Sequence, residues 1–358
     1  MQYTLYTGDC LEILRTIPEN SIDTCITDPP YELSFLGNKW DGSGISFQKE
    51  TWEEVFRVLK PGATIMVFGG TRTFHRIAVA IEDAGFILRD VFMWLHGQGF
   101  PKSYNVAKAI SAFEKVGTSQ PQALRKARMG DEYKPTGQVD YRKGRMFGNI
   151  EEDTFEDELT PTARQWQGFG TQLKPSYEPI IVAMKPIDGT FANNAIKWGV
   201  SGYWIDGGRI QGEPVPINKL EQWSGFGQKE KPDYEQEINT KGRHPSNVLH
   251  DGSNEVLNLL PEGADRFFYC AKASKKEKSY PVKNNHPTVK PLELIKYLVR
   301  LTRTPTGGTV IDPFMGSGTC GVASVIEDRD FIGIDMDENY VSIAKQRIEH
   351  EIENMDAK

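Results

Sequence analysis

Residues 307–319 read GGTVIDPFMGSGT, an apolar strand that runs into a glycine-containing turn and then into a helix. The next predicted strand covers residues 330–334 and is followed directly by Asp335. Glycines in such a turn let a ligand approach the backbone closely, and a carboxylate about 20 residues further along binds ribose hydroxyls. The pattern therefore predicts a βαβ unit that binds a nucleoside. The alternative is a tight left-handed turn in which Asp335 only caps the following helix.

The glycines of this turn also indicate which kind of nucleoside fits. They form the pattern Gly-Ser-Gly at residues 316–318, without the third glycine of a Gly-x-Gly-x-x-Gly sequence. That third glycine helps to seat the pyrophosphate of a dinucleotide. Its absence favours a nucleoside cofactor that carries no phosphates.

Predicted strands and helices alternate in the N-terminal part of the chain as well as in the C-terminal part that contains this unit. The predicted strands cover residues 2–6, 21–27, 63–68, 86–95, 308–311 and 330–334. The predicted helices cover residues 10–17, 52–59, 72–83, 292–301, 320–327 and 340–351. Strands that alternate with helices predict a parallel sheet with both faces covered, which is the α/β class.

The middle of the chain lacks this alternation. Residues 97–285 are rich in Gly, Pro, Lys, Gln and Asn, and one apolar strand, residues 178–184, stands out within them. We expect that strand to pair antiparallel with residues 86–95 in the same sheet. So long a connection is usually functional or disordered. We therefore divide the chain into residues 1–96 and 286–358, which complete one domain, and an insertion at 97–285.

Composition excludes several classes of protein. The chain has 358 residues, of which 38% are hydrophobic and 25% charged, and it contains no apolar run of the roughly 18 residues that a membrane span needs. The N-terminus MQYTLYTGDC lacks a basic segment followed by an apolar one, so we expect a cytoplasmic protein. The cysteines have no metal-ligand spacing and no partner pattern: Cys10, Cys25, Cys270 and Cys320. The histidines show no such spacing either, so neither a disulfide scaffold nor a metal site is expected.

A second turn carries unusual chemistry. Asp28-Pro29-Pro30-Tyr31 follows the predicted strand 21–27. Two prolines make the turn stiff and remove two backbone donors, which leaves carbonyl and carboxylate acceptors beside an aromatic ring. This set suits a planar ring with an exocyclic amino group, since the amine donates to the acceptors and the ring stacks on Tyr31. The alternative is a rigid surface turn with a half-buried tyrosine.

The two turns together resemble the DPPY and FxGxG motifs of the DNA amino-methyltransferases. Their order, with the DPPY motif first, resembles the β class of that family. Residues 8–11 (GDCL), 286–291 (HPTVKP) and 331–335 (FIGID) match further family segments. Residues 174–179 and 244–247 resemble phage or prophage members. The resemblance implies a Rossmann-like S-adenosylmethionine-dependent fold with a circularly permuted motif order and an inserted target-recognition region. Both turns should then meet at one edge of the sheet.

The resemblance also implies the reaction and the residues. A methyl group would pass from S-adenosylmethionine to the exocyclic amine of a flipped DNA base, with adenine N6 preferred over cytosine N4 because an acidic first motif residue is commoner for adenine. The implied catalytic residues are Asp28, Pro29, Pro30 and Tyr31. The implied cofactor-binding residues are Asp9, Cys10, Asp28, His286, Thr288, Lys290, Asp312, Pro313, Phe314, Gly316, Ser317, Gly318, Thr319 and Asp335.

Among these residues, the resemblance assigns separate parts of the cofactor. Phe314, with Asp9 and Cys10 nearby, would contact the adenine, and Asp335 would hold the ribose. The turn at Gly316 and Gly318 would approach the methionine part, with Thr288 and Lys290 at its amino-acid end. Asp28 would face both the methionine ammonium and the target amine.

The partner implied by the resemblance is double-stranded DNA, despite a net charge of −7. Ten basic residues and two acidic ones lie between Arg266 and Arg303. We expect phosphate contacts from a cluster within that stretch: Lys272, Lys275, Lys276, Lys278 and Lys283. The alternative is an ordinary solvated surface. Residues 32–44 are a candidate clamp for the flipped base.

Other functions stay open beside this one. No cysteine follows a proline, so the nucleophile of ring-carbon cytosine methylation is absent. Methylation of RNA or of a protein amide, and an inactive DNA-binding regulator, are alternative hypotheses. A homodimer and a cognate restriction endonuclease are left open as partners.

Overall fold

The structure is a computed structural model that describes most of the chain. The described residues are 1–33, 42–97, 103–117, 159–210, 215–216, 238–239, 241–261, 264, 268–270, 281–284, 286 and 288–357. The chain forms two compact units, one made of Met1–Gln98 with Ser176–Lys358 and the other of Gly99–Pro175. The division of the chain at residues 97–285 stays a prediction.

Nine of the described strands form one sheet. These are β1 (Tyr3–Thr7), β2 (Ile22–Thr27), β3 (Leu59–Phe68), β4 (Ile87–Leu95), β5 (Tyr177–Met184), β8 (Val248–His250), β9 (Tyr269–Cys270), β10 (Thr309–Asp312) and β11 (Asp330–Asp335). Their spatial order is β1-β11-β10-β2-β3-β5-β4-β8-β9. The short strands β6 (Val215–Pro216) and β7 (Ile238–Asn239) pair with each other.

The helices of the first unit connect these strands. They are α1 (Cys10–Leu14), α2 (Lys49–Val58), α3 (Phe74–Asp83), α6 (Phe191–Trp198), α7 (Asn254–Leu257), α8 (Leu292–Leu301), α9 (Thr319–Ile326) and α10 (Glu338–Asp356). A 3₁₀ turn covers Ile45–Phe47. The second unit contains α4 (Val106–Val116) and α5 (Pro161–Arg164).

The sheet joins both ends of the chain. Strands β1, β11, β10, β2 and β3 pair in parallel, so β10 from the C-terminal part lies directly beside β2 from the N-terminal part. Strand β5 runs antiparallel between β3 and β4, which confirms the predicted antiparallel pairing with β4. The α/β, Rossmann-like fold class is confirmed.

Both faces of this sheet are covered, and strand alternation divides the core in two. Ile26, Phe68 and Ile180 lie in the cluster that contains the buried face of α8. Cys25, Val67 and Ile181 lie in the second cluster, which contains Trp52 of α2 and Ile77 of α3. Successive side chains along a strand point to opposite faces of the sheet. Each side chain near the end of a strand therefore lies on the side of one of these two clusters.

The predicted boundary between helix 52–59 and strand 63–68 is wrong by several residues. Helix α2 ends at Val58, and the segment Lys60-Pro61-Gly62, which the predicted ranges leave between helix and strand, belongs to β3. The register of β2 and β3 shifts between the pairs Ile22–Leu59 and Thr24–Thr64, so the Pro61 segment forms a bulge. A bulge tolerates proline because the ladder is already interrupted there.

Within the part of the chain that the structure describes, no helix combines the length and apolar character needed to cross a membrane. Over the same residues, no group of three or more His, Cys, Asp or Glu side chains is placed to hold a metal ion. Cys10, Cys25 and Cys320 are buried free thiols.

Candidate active site

The two motif turns begin side by side at the carboxyl edge of the sheet. Thr27 ends β2 and Asp312 ends the neighbouring strand β10. The Thr27 hydroxyl donates to Asp312 Oδ1 at 2.6 Å, and the Phe314 N–H donates to the same oxygen at 3.1 Å. The carboxylate of Asp312 therefore joins the turn that starts at Asp28 to the glycine turn.

Asp312 occupies an unusual environment for a carboxyl group. It is 5% exposed. Burial, with smaller effects from the nearby carboxylates of Asp28 and Asp335, raises its pKa to about 7, although the hydrogen bonds from Thr27 and Phe314 act in the opposite direction. Burial disfavours the charged form because the ion loses its hydration. Asp312 thus acts as a buried acceptor that holds the two turns together.

Asp335 holds the glycine turn from the next strand. Its Oδ2 accepts from the Gly316 N–H and its Oδ1 from the Asp337 N–H, both at 2.8 Å. The alternative that Asp335 caps the following helix is wrong, because Asp337 is the N-cap of α10 and accepts from the Asn339 N–H. Burial raises the pKa of Asp335. Contact of its carboxylate with a ribose stays a prediction.

The glycine turn is tight because two segments pack against it. At Gly318, where φ is +81°, an added Cβ would lie 2.5 Å from the Cβ of Ala344 in α10. At Gly316 an added Cβ would lie 2.9 Å from His286 Nε2. Only a glycine fits such a close approach at positive φ. Both glycines are therefore required by the packing of Ala344 and His286 against the turn, and approach of a cofactor to its backbone stays a prediction.

His286 belongs to the segment that covers this turn. Its ring packs edge-on against Tyr340 at 4.6 Å, and its Nδ1 lies 2.7 Å from the Thr288 carbonyl oxygen. Burial lowers the pKa of His286. Thr288 itself is exposed. The structure thus places His286 against the glycine turn, a few residues before Lys290 in the chain.

Ser317 and Thr319 are buried rather than presented to a ligand. Arg347 of α10 donates to the Ser317 carbonyl at 2.6 Å and to Thr319 Oγ1 at 3.2 Å. Asn284 donates to Ser317 Oγ at 2.9 Å. These contacts fix the shape of the turn, and contact of either side chain with the cofactor stays a prediction.

The first predicted cofactor turn lies next to Asp335. The Gly8 N–H donates to the Asp335 carbonyl oxygen at 2.9 Å. Asp9 is the N-cap of α1, and its Oδ1 accepts from the Leu11 N–H at 2.8 Å. Cys10 is buried, which raises the pKa of its thiol to about 12, and Phe314 packs against the core cluster that contains it. Asp9, Cys10 and Phe314 therefore gather at the same sheet edge.

Lys290 stands at the centre of the predicted catalytic turn. Its Nζ lies 2.7 Å from Asp28 Oδ2, 3.1 Å from Tyr31 Oη and 3.2 Å from Glu178 Oε2. The side chain is 11% exposed. Burial alone would lower the pKa of Lys290, but the carboxylates of Asp28 and Glu178 raise it well above its usual range. Lys290 is therefore a charged ammonium whose three N–H groups meet three acceptors.

Tyr31 is fixed by the same group of side chains. Its hydroxyl lies 3.3 Å from Glu178 Oε2, with Lys290 Nζ 5.3 Å from the centre of its ring. Burial, together with the charges of Asp28 and Glu178, raises the pKa of the phenol well above its ordinary value. Tyr31 is therefore a neutral, immobilised ring at the mouth of the DPPY turn.

One atom of this cluster is left unsatisfied. Asp28 Oδ1 is buried, and none of the described residues donates a hydrogen bond to it. Buried carboxylate oxygens are normally paired, so an unpaired one at a functional turn points to a missing donor. An ammonium or an exocyclic amine supplies such a donor. Asp28 therefore fits both groups that the resemblance assigns to it.

Glu178 is a residue of this cluster that the sequence reasoning missed. It lies near the start of β5, and alternation puts it on the same sheet face as Ile180. Because β5 runs antiparallel, its amino end lies at the edge where β2 and β3 end. A lone carboxylate before the apolar run PIIVAM, in a strand expected to be antiparallel, was the available signal.

Part of the predicted DNA contact surface lies outside the described residues. This holds for Lys272, Lys275, Lys276 and Lys278, whereas Lys283 is described and exposed. Of the predicted clamp at 32–44, residues 34–41 also lie outside the described part. The two flanks of that segment are joined, because the Gly44 N–H donates to Glu32 Oε2 at 2.7 Å.

Comparison with known proteins identifies the family. A family model described as DNA methylase, for N6 and N4 methyltransferases, matches residues 22–346. The chain belongs to the N6/N4 DNA methylase family. It is therefore an enzyme, a DNA methyltransferase of the adenine-N6 or cytosine-N4 type that uses S-adenosylmethionine, and these expectations from the sequence are confirmed.

Individual relatives agree with the family assignment. The chain is 25% identical to the type II methyltransferase M.HindIII of Haemophilus influenzae, over 96% of this chain and 94% of the relative. It is 24% identical to M.HpaI of Haemophilus parainfluenzae, over 100% of this chain and 77% of the relative. The PvuII DNA methyltransferase, described as cytosine-N4-specific, has a similar fold, with a TM-score of 0.50 and 16% identity over 97% of this chain and 86% of that one.

Proposed function

We propose that this methyltransferase methylates N6 of adenine at a specific site in duplex DNA. The observation that carries the proposal is the buried, unpaired Asp28 Oδ1 beside the fixed ring of Tyr31. The oxygen offers an acceptor to an exocyclic amine, and the ring offers a stacking face to a flipped base. The acidic first residue of the motif favours adenine over cytosine.

The residues present fit S-adenosylmethionine as the methyl donor. When bound, the cofactor supplies an electrophilic methyl group on a sulfonium. Asp335, Phe314 and the glycine turn are the proposed binding elements, because they meet at the edge next to Asp28. Gly316 and Gly318 allow His286 and Ala344 to pack closely against the turn, which holds its backbone in a fixed conformation at this edge.

The chain contributes positioning and electrostatics to the reaction. An aromatic amine is a poor nucleophile because its lone pair is delocalised into the ring. Hydrogen bonds from its N–H groups to Asp28 and to the Pro29 carbonyl favour a pyramidal nitrogen and orient its lone pair. Positioning of this kind, in a site of fixed charges, lowers the barrier without a covalent intermediate.

The surroundings of the site support duplex DNA as the substrate. A base inside a duplex has to be flipped out to reach Asp28. Residues 32–44 are the proposed clamp, and the basic cluster at 272–283 is proposed to contact phosphates. Two relatives are type II methyltransferases, which supports a restriction-modification role with a cognate endonuclease.

The experiment compares the base modified by the wild-type enzyme with that modified by the Asp28→Ala variant. Each is expressed in cells that lack DNA methylation, and their DNA is read by methylation-sensitive long-read sequencing. We expect N6-methyladenine in one sequence context with the wild type and none with the variant. N4-methylcytosine would contradict the adenine assignment, and the absence of any modified base from the DNA of cells that express the wild type would contradict DNA as the substrate.

A further inference from the structure

Glu178 is the second carboxylate that contacts Lys290, in addition to Asp28. Lys290 Nζ lies 2.7 Å from Asp28 Oδ2 and 3.2 Å from Glu178 Oε2. The side chains of Asp28 and Glu178 are 25% and 26% exposed, so all three charges are largely withdrawn from water. Charges in such a place act strongly on a neighbouring ligand, because solvent screens them weakly.

The charges of this cluster do not balance. One ammonium faces two carboxylates, which leaves a net charge of −1. The Tyr31 hydroxyl between them stays neutral, since its pKa is raised well above its usual value by burial and by both carboxylates. His96, whose Nε2 lies 4.0 Å from Glu178 Oε1, adds a positive charge only when protonated. Without Glu178 the pair of Lys290 and Asp28 would be neutral.

Glu178 also shares the hydrogen bonds of the lysine. The three N–H groups of Lys290 meet Asp28, Tyr31 and Glu178, so only Oδ2 of Asp28 is occupied. Asp28 Oδ1 stays open. A lysine with a single carboxylate partner would have donors left over for that second oxygen.

We propose that Glu178 is a positioning residue which makes the site selective for a cationic methyl donor over its neutral product. Its negative charge offsets Lys290, so that the charge of Asp28 remains available to a sulfonium. The product of the reaction, S-adenosylhomocysteine, has a neutral thioether in its place and gains nothing from that charge. The inference rests on the proposed function and names the residue that sets cofactor preference.

The test measures how tightly each variant binds S-adenosylmethionine and S-adenosylhomocysteine by calorimetry. The measurements are made at pH 8, where an ordinary imidazole is neutral. Glu178→Gln keeps the acceptor for Tyr31 and removes the charge. We expect it to weaken S-adenosylmethionine binding about 5- to 10-fold and S-adenosylhomocysteine binding less than about 2-fold.

The informative quantity is the ratio of the affinity for S-adenosylmethionine to that for S-adenosylhomocysteine. The two ligands differ only in the methyl group and in the positive charge that it brings to sulfur, so a change in this ratio between variants of equal shape reports the charge. Glu178→Asp should keep the wild-type ratio. The double variant Glu178→Gln with Lys290→Gln restores a net charge of −1 and should restore the ratio as well. Glu53→Gln, which removes a carboxylate that pairs with Lys49 on the surface of α2, is the matched control and should change neither affinity.

The outcomes separate the inference from the proposed function. An unchanged ratio in Glu178→Gln, or a ratio that the double variant does not restore, overturns the inference while wild-type DNA methylation stands. Absence of DNA methylation by the wild type overturns the proposed function instead. If Glu178→Gln does not fold, Lys290→Gln alone provides the test, because it gives the cluster a net charge of −2. It should raise the ratio of S-adenosylmethionine affinity to S-adenosylhomocysteine affinity above that of the wild type. A ratio that is not raised overturns the inference.

Discussion

The hydroxyl of Thr27 donates a 2.6 Å hydrogen bond to Asp312, and this bond links two motifs that are far apart in the sequence. Thr27 immediately precedes the DPPY turn, and Asp312 immediately precedes the turn that contains Gly316 and Gly318. The two residues end neighbouring parallel strands. The DPPY turn and the glycine turn are therefore positioned by one buried carboxyl group.

Asp312 should make the stability of the fold depend on pH. Its pKa is raised from 3.8 to about 7 in the fold, mainly by burial, so between these values the folded state binds more protons than the unfolded state. The free energy of unfolding should therefore fall as pH rises from about 4 to about 7, by at most about 1.4 kcal/mol per pH unit from this group.

Asp312→Asn tests this dependence, because the amide oxygen still accepts from Thr27 and Phe314. Urea unfolding at pH 5, 6, 7 and 8 should show the variant gaining stability relative to wild type as pH rises. A difference that is constant across this range would show that Asp312 does not titrate there.

Asp28 is expected to be essential for turnover rather than for folding. In Asp28→Ala, Lys290 keeps Glu178 as its partner, so the cluster retains one ion pair. We expect kcat to fall about 10²- to 10³-fold, as when one preorganised polar group is removed from an active site, with S-adenosylmethionine binding partly kept. Single-turnover methylation and calorimetry measure the two effects. Asp188→Asn, which removes an exposed carboxylate that pairs with Lys197, is the control, and retained activity in Asp28→Ala would refute the mechanism.

Two substitutions of Tyr31 should separate the contribution of ring stacking from that of hydrogen bonding. Tyr31→Phe removes the hydroxyl that meets Lys290 and Glu178 but keeps the ring. Tyr31→Ala also removes the stacking face, which is worth about 1–3 kcal/mol per base. We therefore expect kcat/KM for DNA to fall much further in the alanine variant. Equal losses in the two variants would mean that the ring does not contact the base.

Gly318 should be irreplaceable for steric reasons. In Gly318→Ala the new Cβ would meet the Cβ of Ala344 at 2.5 Å, in addition to the strain of φ +81°. Gly199→Ala at φ +74° has nothing within 4 Å and measures the backbone strain alone, about 1–2 kcal/mol. Thermal unfolding should show the larger loss for Gly318→Ala, with weakened cofactor binding only in that variant. Equal losses would argue against the close approach of α10.

The basic cluster should control the salt dependence of DNA binding. Replacing Lys272, Lys275, Lys276 and Lys278 by alanine removes four charges from the proposed phosphate contacts. The slope of log affinity against log salt should become shallower by about 0.9 for each phosphate that is no longer neutralised, without a change in the methylated sequence. Fluorescence anisotropy over a salt series measures the slope. An unchanged slope would identify the cluster as solvated surface.

Much of the fold could be predicted because strands, helices and turns are favoured by residues that are adjacent in the chain. The apolar strands before Asp28 and Asp312, and the antiparallel strand β5, are confirmed. The start of β3 was misjudged because Pro61 and the residues beside it end a helix in most contexts. Here they form a bulge, and that depends on the register against β2.

The sequence was enough to establish the residue types and spacings of the DPPY and glycine turns, because a stiff proline turn and a glycine turn are properties of short segments. The remaining features of the site depended on the pairing of strands that are distant in the sequence. Glu178 could become a partner of Lys290 only when β5 entered the sheet antiparallel, which carried its amino end to the carboxyl edge of β2 and β3. Asp312 acquired its raised pKa only through burial, which no stretch of neighbouring residues specifies. Charge and proton affinity at this site therefore come from groups that meet in space, whereas the turns that carry them come from groups that are adjacent in the chain.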